Sequence, residues 1–452
     1  MEDRMDTTFY KPEFLEAENV LKANPLTITI DEIALKIKDG PGGWNVSKED
    51  YTSNPDGIPF LGVGDIKDGF SIENATRIFK QKHIGLKASA LKPNDVLLSV
   101  RGTPGFSAVV PKDIKECNIS ASLVLIRLKK DANSYYISTF LSSKYGLFQT
   151  FRLSCKAVQP DINLSEVRSI KIPIPSSSFQ SSIESLIKTA HEKRKEAEKK
   201  LQEAEEILEK ELGWKELELN HDKAFETSFS HLERRFDPEY FKSRYERIKE
   251  VLISKNANTL SEAVKVITKR ADFRKIPNKT IRYVAIADID SESSQIVSHT
   301  KMLAYQAPSR ATYAIKEGFI LTATSGNSTG TKRHASCFVT KKEDGFICTN
   351  GLVPLQPKEG TEPLYLLFYL KSPFFLEQVR RELTGAAIPA ISLEYMKQVL
   401  VYLPLNKIQA GIAKLVETSN QLRTESRDLI EQAKKEVENM IEKDTHKLKG
   451  EA

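Results

Sequence analysis

The sequence has little cysteine and no long apolar run, and each shortage excludes a class of protein. Four cysteines stand among 452 residues, with no CxxC spacing and no paired histidines beside them: Cys117, Cys155, Cys337 and Cys348. We therefore expect neither a zinc site nor a disulfide framework, and a reducing cytoplasm suits this usage best. The chain starts with polar residues and lacks an apolar stretch long enough to cross a bilayer, so we expect no secretory signal and no membrane association.

The excess of positive over negative charge is also small. The 67 Lys and Arg residues stand against 61 Asp and Glu, which leaves a formal net charge of +6. Many of the acidic residues lie in two helical stretches, so the rest of the chain is more basic than the net charge suggests. A phosphate-bearing partner is compatible with that distribution, and so is a charge that serves solubility alone. The length favours two to four domains, and 40% hydrophobic with 28% charged residues is typical of a folded soluble protein.

Catalytic signatures are missing as well. Residues 60–64 match the F-x-G-x-G turn of many methyltransferases, but the equivalent residues 283–287 lack both glycines, and no Pro-Pro segment exists to hold a flipped base. A pattern of metal-dependent nucleases at Asp56, Asp65 and Lys67 is not kept in the second half either. No glycine loop ends in Gly-Lys-Ser/Thr, and the seven histidines show no metal spacing. We therefore expect no catalytic residue and no metal site in this chain.

The most informative feature that is present is an internal repeat. Three early segments recur with offsets of 231, 223 and 224: residues 4–10 at 235–241, residues 60–66 at 283–289, and residues 96–99 at 320–323. Later positions share one offset of 229: Tyr136 with Tyr365, Leu141 with Leu370, Gln149 with Gln378, and Pro160 with Pro389. Offsets that drift and then become constant are what loop insertions between shared framework elements produce. The sequence therefore predicts a duplicated domain.

Each half has a mixed front portion followed by a long helix. The front portions combine short β-branched and aromatic runs with turn residues, and they close on alternating runs at 170–175 and 399–404 that are typical of edge strands ended by proline. Behind them, apolar and small residues step by three and four around one arginine: Ile183, Ile187, Ala190, Arg194, Ala197, Leu201, Ala204 and Leu208 in the first half, and Ile412, Val416, Ser419, Arg423, Ser426, Ile430, Ala433 and Val437 in the second. This spacing indicates a heptad seam on each helix.

The seams allow two arrangements. Each helix can pack on its own globular half, or the two helices can pack against each other. Because a stripe of this length exceeds what one small domain covers, the sequence favours an antiparallel coiled coil. The predicted fold is α+β, with two mixed α/β domains and a pseudo-two-fold internal repeat. Its expected bounds are 1–175 for the first domain, 176–213 for the first helix, 214–404 for the second domain and 405–448 for the second helix.

Basic residues cluster in the variable stretches of both halves. These are the candidate contacts to a nucleic acid: Arg77, Lys80, Lys82, Lys87 and Arg101 in the first half, and Lys269, Arg270, Arg274, Lys275, Lys332 and Arg333 in the second. Arg101 opens a glycine loop at 101–105, and Lys332 and Arg333 lie beside another at 325–330. Such loops can present backbone N–H groups to a phosphate or can simply turn between strands. Since the clusters occur in both halves and outside the shared framework, they favour nucleic acid binding over a merely solvated surface.

Together these features resemble the specificity subunits of type I restriction–modification systems. The likeness rests on RFDPEY at 235–240, NDVLLS at 94–99 before a glycine loop, PAISL at 389–393, the proline-ended strands, and a glutamine, Gln180 or Gln409, near the start of each long helix. The resemblance implies two target-recognition domains, each reading one half of a split site in double-stranded DNA. It also implies that the helix pair docks two modification (methyltransferase) subunits, and that restriction subunits can join. In that family this chain would be non-catalytic and bind no cofactor, because S-adenosylmethionine, ATP and Mg²⁺ belong to the partner subunits.

The helix length predicts a spacing between half-sites. A helix of about 35 residues is about 50 Å long, so domains held about 35–50 Å apart would read half-sites about 10–15 base pairs apart. Two other functions stay open at this point. One is a duplicated protein-interaction scaffold, whose binding would not fall with salt, and the other is the specificity subunit of a type II split-site enzyme. A stand-alone DNA enzyme is disfavoured by the missing motifs.

Overall fold

The computed structural model describes residues 7–42, 45–67, 69–73, 75–154, 160–213, 235–385 and 387–450. The chain forms two compact units, one of residues 1–194 with 424–452 and one of residues 195–423. Each unit therefore combines one mixed α/β domain with a part of both long helices. Cys155 and the start of the repeat at residues 4–6 lie outside the described residues.

The first unit is built on two four-stranded sheets. Its strands are β1 (Thr27–Thr29), β2 (Ala34–Asp39), β3 (Tyr51–Thr52), β4 (Ile58–Leu61), β5 (Thr76–Ile78), β6 (Val96–Ser99), β7 (Ser107–Val109), β8 (Asn118–Ile119), β9 (Leu123–Leu128) and β10 (Lys171–Pro173). Its helices are α1 (Pro12–Ala23), α2 (Ile30–Ile33), α3 (Lys80–Gly85), α4 (Ser134–Ser142), α5 (Lys144–Ser154), α6 (Leu164–Arg168) and the first part of α7 (Ser177–Leu212). One sheet has the antiparallel order β2-β9-β6-β7, and the other has the order β3-β5-β4-β8, in which β4 and β8 are parallel. Strands β1 and β10 form a separate antiparallel pair.

Strand β6 shows how the core of the first unit is layered. Val96 and Leu98 pack in one cluster with residues of the helices, such as Phe140. Leu97 belongs to a second cluster, together with Ile119 of the other sheet. Because both faces of the strand are covered, all four of its residues are buried, and the run is apolar almost throughout instead of alternating.

The second unit repeats this construction. Its strands are β11 (Asn258–Thr259), β12 (Val264–Val266), β13 (Thr280–Val284), β14 (Ile289–Asp290), β15 (Gln295–Ile296), β16 (Thr300–Leu303), β17 (Ala311–Ala314), β18 (Ile320–Ala323), β19 (Ser336–Phe338), β20 (Ile347–Thr349), β21 (Leu352–Pro357) and β22 (Leu400–Val401). Its helices are α8 (Ser243–Ser254), α9 (Leu260–Ala263), α10 (Pro363–Tyr369), α11 (Pro373–Glu382), α12 (Leu393–Gln398) and the first part of α13 (Asn406–Gly450). The order β2-β9-β6-β7 recurs as β12-β21-β18-β19, and the parallel pair of β4 with β8 recurs as β13 with β20. The predicted duplication is confirmed.

Matched glutamines show why single residues recur at the offset of 229. The Gln149 side chain accepts from the Lys171 N–H and donates to the Lys171 carbonyl, both at 2.9 Å. Gln378 makes the same two bonds to Leu400, at 2.8 and 3.0 Å. The short strands β10 and β22 each pair with one neighbouring strand, β1 or β11, on one edge. The glutamine amide bonds to the backbone on the other edge. These repeated residues belong to the framework.

The two long helices run antiparallel within each unit, as the seams predict. The seam residues share buried clusters in two sets: Ile183 and Ile187 with Ala433 and Val437 in the first unit, and Ala204 and Leu208 with Ile412 and Val416 in the second. Residues near the start of α7 therefore pack with residues near the end of α13, and residues near the end of α7 pack with residues near the start of α13. The predicted antiparallel coiled coil is therefore confirmed. Among the described residues, no helix offers an apolar stretch that could span a bilayer.

Small residues at the middle of the seam let the two backbones approach closely. The Ser426 Oγ donates to the Ala190 carbonyl at 2.7 Å, and the Ser419 Oγ donates to the Ala197 carbonyl at 2.8 Å. Ala190 and Ser419 are repeat equivalents at the offset of 229, as are Ala197 and Ser426, so each pair is the counterpart of the other. Helix α7 ends at Leu212, and Gly213 follows in the left-handed conformation at φ +70°.

Candidate nucleic-acid interface

The basic cluster of the first unit lies on β5, on α3 and in the turn that follows. Arg77 is half-buried, and its Nη1 donates to the Gly57 carbonyl at 2.7 Å, which braces the turn before β4. Lys82 pairs with Asp50 at 3.0 Å. Lys80 is exposed and 3.7 Å from the exposed Glu116, and Lys87 is exposed as well. Lys80 and Lys87 are therefore the cations of this cluster that face solvent, whereas Arg77 and Lys82 also hold the framework.

A buried histidine anchors α3 beneath those lysines. His83 Nδ1 lies 2.7 Å from Asn118 Nδ2, and Asn118 belongs to the parallel strand β8. The amide group of Asn118 is a donor at this nitrogen, so His83 Nδ1 is the acceptor. The Ser89 Oγ, 3.2 Å from Asn118 Oδ1, fixes the other end of the turn. The lysines of α3 thus stand on a rigid support.

The glycine loop of the first unit is a braced turn. Its Gly102 N–H donates to the Pro160 carbonyl at 3.2 Å, and its Gly105 has φ +108°, with the Leu147 side chain in the space that a Cβ would need. Arg101 Nε donates to Asp161 Oδ1 at 2.9 Å, and both side chains are exposed. An exposed ion pair of this kind contributes little stability, so the Arg101 guanidinium can exchange Asp161 for a phosphate at low cost.

The corresponding loop of the second unit carries its charge differently. Gly326 N–H donates to the Pro389 carbonyl at 2.9 Å, which repeats the bracing seen in the first unit. Lys332 and Arg333 project from the far end of the loop and are exposed. Directly after them, His334 is buried. The loop therefore presents two adjacent cations next to a buried residue that anchors it.

The buried His334 side chain holds this loop in place. Its Nε2 lies 2.8 Å from Thr322 Oγ1, and its Nδ1 accepts from the Gly330 N–H at 3.1 Å. Burial, and to a smaller extent the charge of Lys371, lowers the pKa of His334 to about 4. The ring is therefore neutral at pH 7, with its proton on Nε2, because Nδ1 is occupied as an acceptor.

The second basic cluster of this unit surrounds a short 3-10 turn, Phe273–Lys275. Lys269 and Arg270 are exposed in the loop that precedes it. Arg274 lies over the buried Phe273 ring at 5.1 Å and donates from Nη2 to the Pro308 carbonyl at 2.7 Å. Lys275 pairs with Asp272 at 3.1 Å, and both side chains are largely exposed. All four predicted cations of this cluster thus reach solvent, and the Phe273 ring among them packs against the four-stranded sheet of order β16-β13-β20-β17.

Sequence reasoning missed two further cations on that sheet. Arg282 of β13 and Lys301 of β16 are direct cross-strand neighbours, and both are exposed. Like charges opposite each other destabilise a strand pair, so an arrangement of this kind favours an anionic ligand. The Arg282 guanidinium lies over the Phe346 ring at 5.2 Å. Only the strand register reveals this pair, because 18 residues of sequence separate the two side chains.

Sequence reasoning also left the arginine of the seam without a role. Arg423 Nη1 donates to the Glu292 carbonyl at 2.8 Å, in the turn between β14 and β15. The half-buried Lys371 donates to the Ser291 carbonyl at 2.5 Å and to Ser294 Oγ at 3.0 Å in the same turn. Burial, followed by the charge of Arg423, lowers the pKa of Lys371 to about 8. The two cations tie a hairpin of the second unit to its helical part.

Asp65 of the nuclease-like pattern and the buried cysteines have structural explanations. Asp65 accepts from the Gly62 N–H and Asp288 accepts from the Ala285 N–H, both at 2.7 Å, so the repeated Asp caps a 3-10 turn. Burial raises the pKa of Cys117 and of Cys348 to about 12, which keeps both thiols protonated. Within the described ranges, no group of three His, Cys, Asp or Glu side chains is placed to hold a metal ion.

The two halves of the chain match one known family. Residues 29–206 and 259–439 each match its sequence profile, described as the type I restriction modification DNA specificity domain. A search of curated proteins gives no match. Among solved structures, the S subunit of a type I restriction–modification system from M. genitalium is 15% identical, with 93% of this chain and 95% of that chain covered and a TM-score of 0.42.

Two further solved structures resemble the chain. The HsdS subunit from Thermoanaerobacter tengcongensis is 15% identical, with 93% of this chain and 95% of that chain covered and a TM-score of 0.28. A chain from a type I R-M system, solved for its complex assembly and conformational transition, is 15% identical, with 93% and 96% covered and a TM-score of 0.29. Because these TM-scores lie below 0.5, the comparison is carried by the two sequence matches and not by the structural likeness.

Proposed function

Because this chain belongs to the family of type I restriction modification DNA specificity domains, we propose that it reads a bipartite, asymmetric sequence in double-stranded DNA, one half-site for each unit. The observation that carries this proposal is the contrast between framework and loops. The framework recurs in the strand order of one sheet and in single contacts, such as the capping contact that Asp65 and Asp288 both make. The exposed cations differ in number and position between the units. One fold with two unequal surfaces favours two unequal half-sites.

We further propose that this chain is the non-catalytic part of a larger complex. The long helices would dock two methyltransferase subunits, which bring S-adenosylmethionine, and restriction subunits with ATP and Mg²⁺ can join them. The family supports this division of labour, and so does the framework role of Asp65 and Asp288. A cytoplasmic location agrees with DNA as the target and with Cys117, Cys337 and Cys348 as buried free thiols.

The test is to map methylated bases across the host genome with and without this gene, with the partner genes intact. We expect a bipartite and asymmetric adenine motif that disappears on deletion and returns when the wild-type gene is restored. Co-purification of the chain with its methyltransferase partner is measured alongside. An unchanged methylation pattern, from cells in which the partner methyltransferase is active, would contradict the proposal and favour a protein-interaction scaffold.

A further inference from the structure

Each unit presents one exposed aromatic side chain just after an equivalent strand of the repeated framework. Phe79 is 51% exposed and Tyr305 is 62% exposed. Strand β5 ends at Ile78 and strand β16 ends at Leu303, so the two rings come one and two residues after equivalent strands. Both strands pair antiparallel with the strand that takes part in the parallel pair, β4 in the first unit and β13 in the second. The coincidence in place is independent of the sequence matches that define the repeat.

The backbone under each ring is held in the same way. The Phe79 N–H donates to the Asp50 carbonyl at 3.0 Å, and the Tyr305 N–H donates to the Pro277 carbonyl at 3.1 Å. Asp50 closes the 3-10 turn Lys48–Asp50, and Pro277 follows the 3-10 turn Phe273–Lys275. Each ring therefore stands in solvent on a backbone that is already ordered. A ring presented in this way loses little conformational entropy when it contacts a ligand.

One cation lies near the segment that carries each ring. Lys80 follows Phe79 directly and is exposed. Next to Tyr305, Arg274 donates to the Pro308 carbonyl at 2.7 Å, which places its guanidinium beside the segment that carries the ring. Three carboxylates near these segments already have cationic partners: Asp50 with Lys82 at 3.0 Å, Glu116 with Lys80 at 3.7 Å, and Asp272 with Lys275 at 3.1 Å. Lys80 and Arg274 therefore offer a positive charge to a polyanion near each ring.

We propose that Phe79 and Tyr305 contact bases of the DNA, each in the half-site that its own unit reads. The inference rests on the proposed function and adds the residues that discriminate between sequences. Cations near a ring hold phosphates and position the protein, while an apolar or aromatic side chain reaches a base edge, a thymine methyl or a base face. Single exposed apolar residues are common on proteins. What distinguishes these two is their similar place after equivalent strands, their ordered backbone and a cation near each segment.

The experiment uses the full chain purified with its methyltransferase partner, after the wild-type half-sites have been mapped. Binding is measured for Phe79→Ala and Tyr305→Ala on the cognate duplex and on duplexes with single base-pair changes in either half-site, at several salt concentrations. Each variant should bind the cognate duplex about 5- to 100-fold more weakly and lose discrimination in one half-site only. The half-site should differ between the two variants. The salt slope should stay that of the wild type, because no phosphate contact is removed.

Two exposed apolar residues outside the basic surroundings provide matched controls. Leu26→Ala in the first unit, at 53% exposure, and Ile253→Ala in the second, at 57%, should bind every duplex like the wild type. Variants of Phe79 and Tyr305 that keep wild-type discrimination would overturn the inference, and so would variants that lose the methyltransferase partner, since the rings would then dock protein. A wild-type complex without any sequence preference would instead overturn the proposed function itself.

Discussion

Single residues of this chain divide into those that brace the framework and those that present charge to solvent. The segment at 332–334 contains both kinds within three positions. Lys332 and Arg333 are exposed, whereas His334 is buried and bonded to Thr322 and to the Gly330 N–H. A basic segment read from sequence therefore holds residues with opposite roles, and each role can be tested separately.

Replacing the two exposed cations should weaken DNA binding without changing its sequence preference. Lys332→Gln combined with Arg333→Gln removes two charges that would contact phosphates, so the slope of log K against log salt should fall by about 2. The measurement is a salt titration of binding on cognate and unrelated duplexes. Lys407→Gln with Lys414→Gln, two exposed positions on α13, is the control and should leave the slope unchanged. An unchanged slope in the first variant would remove this loop from the interface.

The buried His334 should make the stability of the second unit depend on pH. Its pKa is about 4 in the folded protein and about 6.5 when unfolded, so the unfolded state binds more protons as pH falls. Stability from this group is fully present above pH 6.5 and is lost progressively as pH falls toward 4. Between pH 7.5 and pH 5 the loss should be about 2 kcal/mol.

The measurement is the free energy of unfolding in urea at these two pH values. His334→Gln lacks the titrating ring and should show a pH dependence smaller by that amount. If this variant folds poorly, the ring protons of wild-type His334 can be followed by NMR instead. A ring that titrates near its ordinary pKa would contradict the expectation.

At the scale of elements, the lack of large side chains at the middle of the seam sets how closely the two helices of the coiled coil pack. Large apolar residues occupy the ends of each seam, while Ala190, Ala197, Ser419 and Ser426 occupy the middle. The serine hydroxyls donate to alanine carbonyls of the facing helix at 2.7 and 2.8 Å, so no room remains there for a larger side chain.

Overpacking this middle should therefore destabilise the chain. Ser426→Leu should lower the free energy of unfolding by about 1–3 kcal/mol. Ser426→Ala, which removes only the hydrogen bond, should cost about 1 kcal/mol. Urea denaturation measures both, and Asn439→Leu on the exposed face of α13 is the control, with an expected change within about 0.5 kcal/mol. Equal stability of Ser426→Leu and the wild type would show that the helices do not approach closely at this point.

At the scale of the whole molecule, the proposed function makes the helix pair a ruler. Four residues inserted into α7 within 195–208, with four more in the facing stretch of α13, lengthen the pair by about 6 Å, or about two base pairs. The half-sites should stay as they are while the spacer between them grows by about two base pairs. Methylation mapping in cells that carry the insertion measures this directly. An unchanged spacer would contradict the ruler.

Much of the architecture could be predicted because its signals are periodic. The seams step by three and four over long stretches, and framework residues such as Gln149 and Gln378 recur at a constant offset. Spacing along the chain carries such information, so no knowledge of distant contacts is needed. The candidate cations could be placed only as clusters. Whether Arg77 faces solvent or donates to Gly57 depends on a turn 20 residues away, which the local sequence does not describe.

By itself, then, the sequence determined the duplication, the two mixed domains, and two long helices that pair through small residues. Helix and repeat signals are local and redundant, so the loss of any one of them leaves the inference intact. Only the tertiary structure decided which distant residues meet. Arg282 lies opposite Lys301, Arg423 donates to the Glu292 carbonyl, and the Tyr305 N–H donates to the Pro277 carbonyl. These contacts join segments whose separation is set by loops of unequal length in the two halves. Strand register and chain reversal, which no pattern along the sequence records, bring them together.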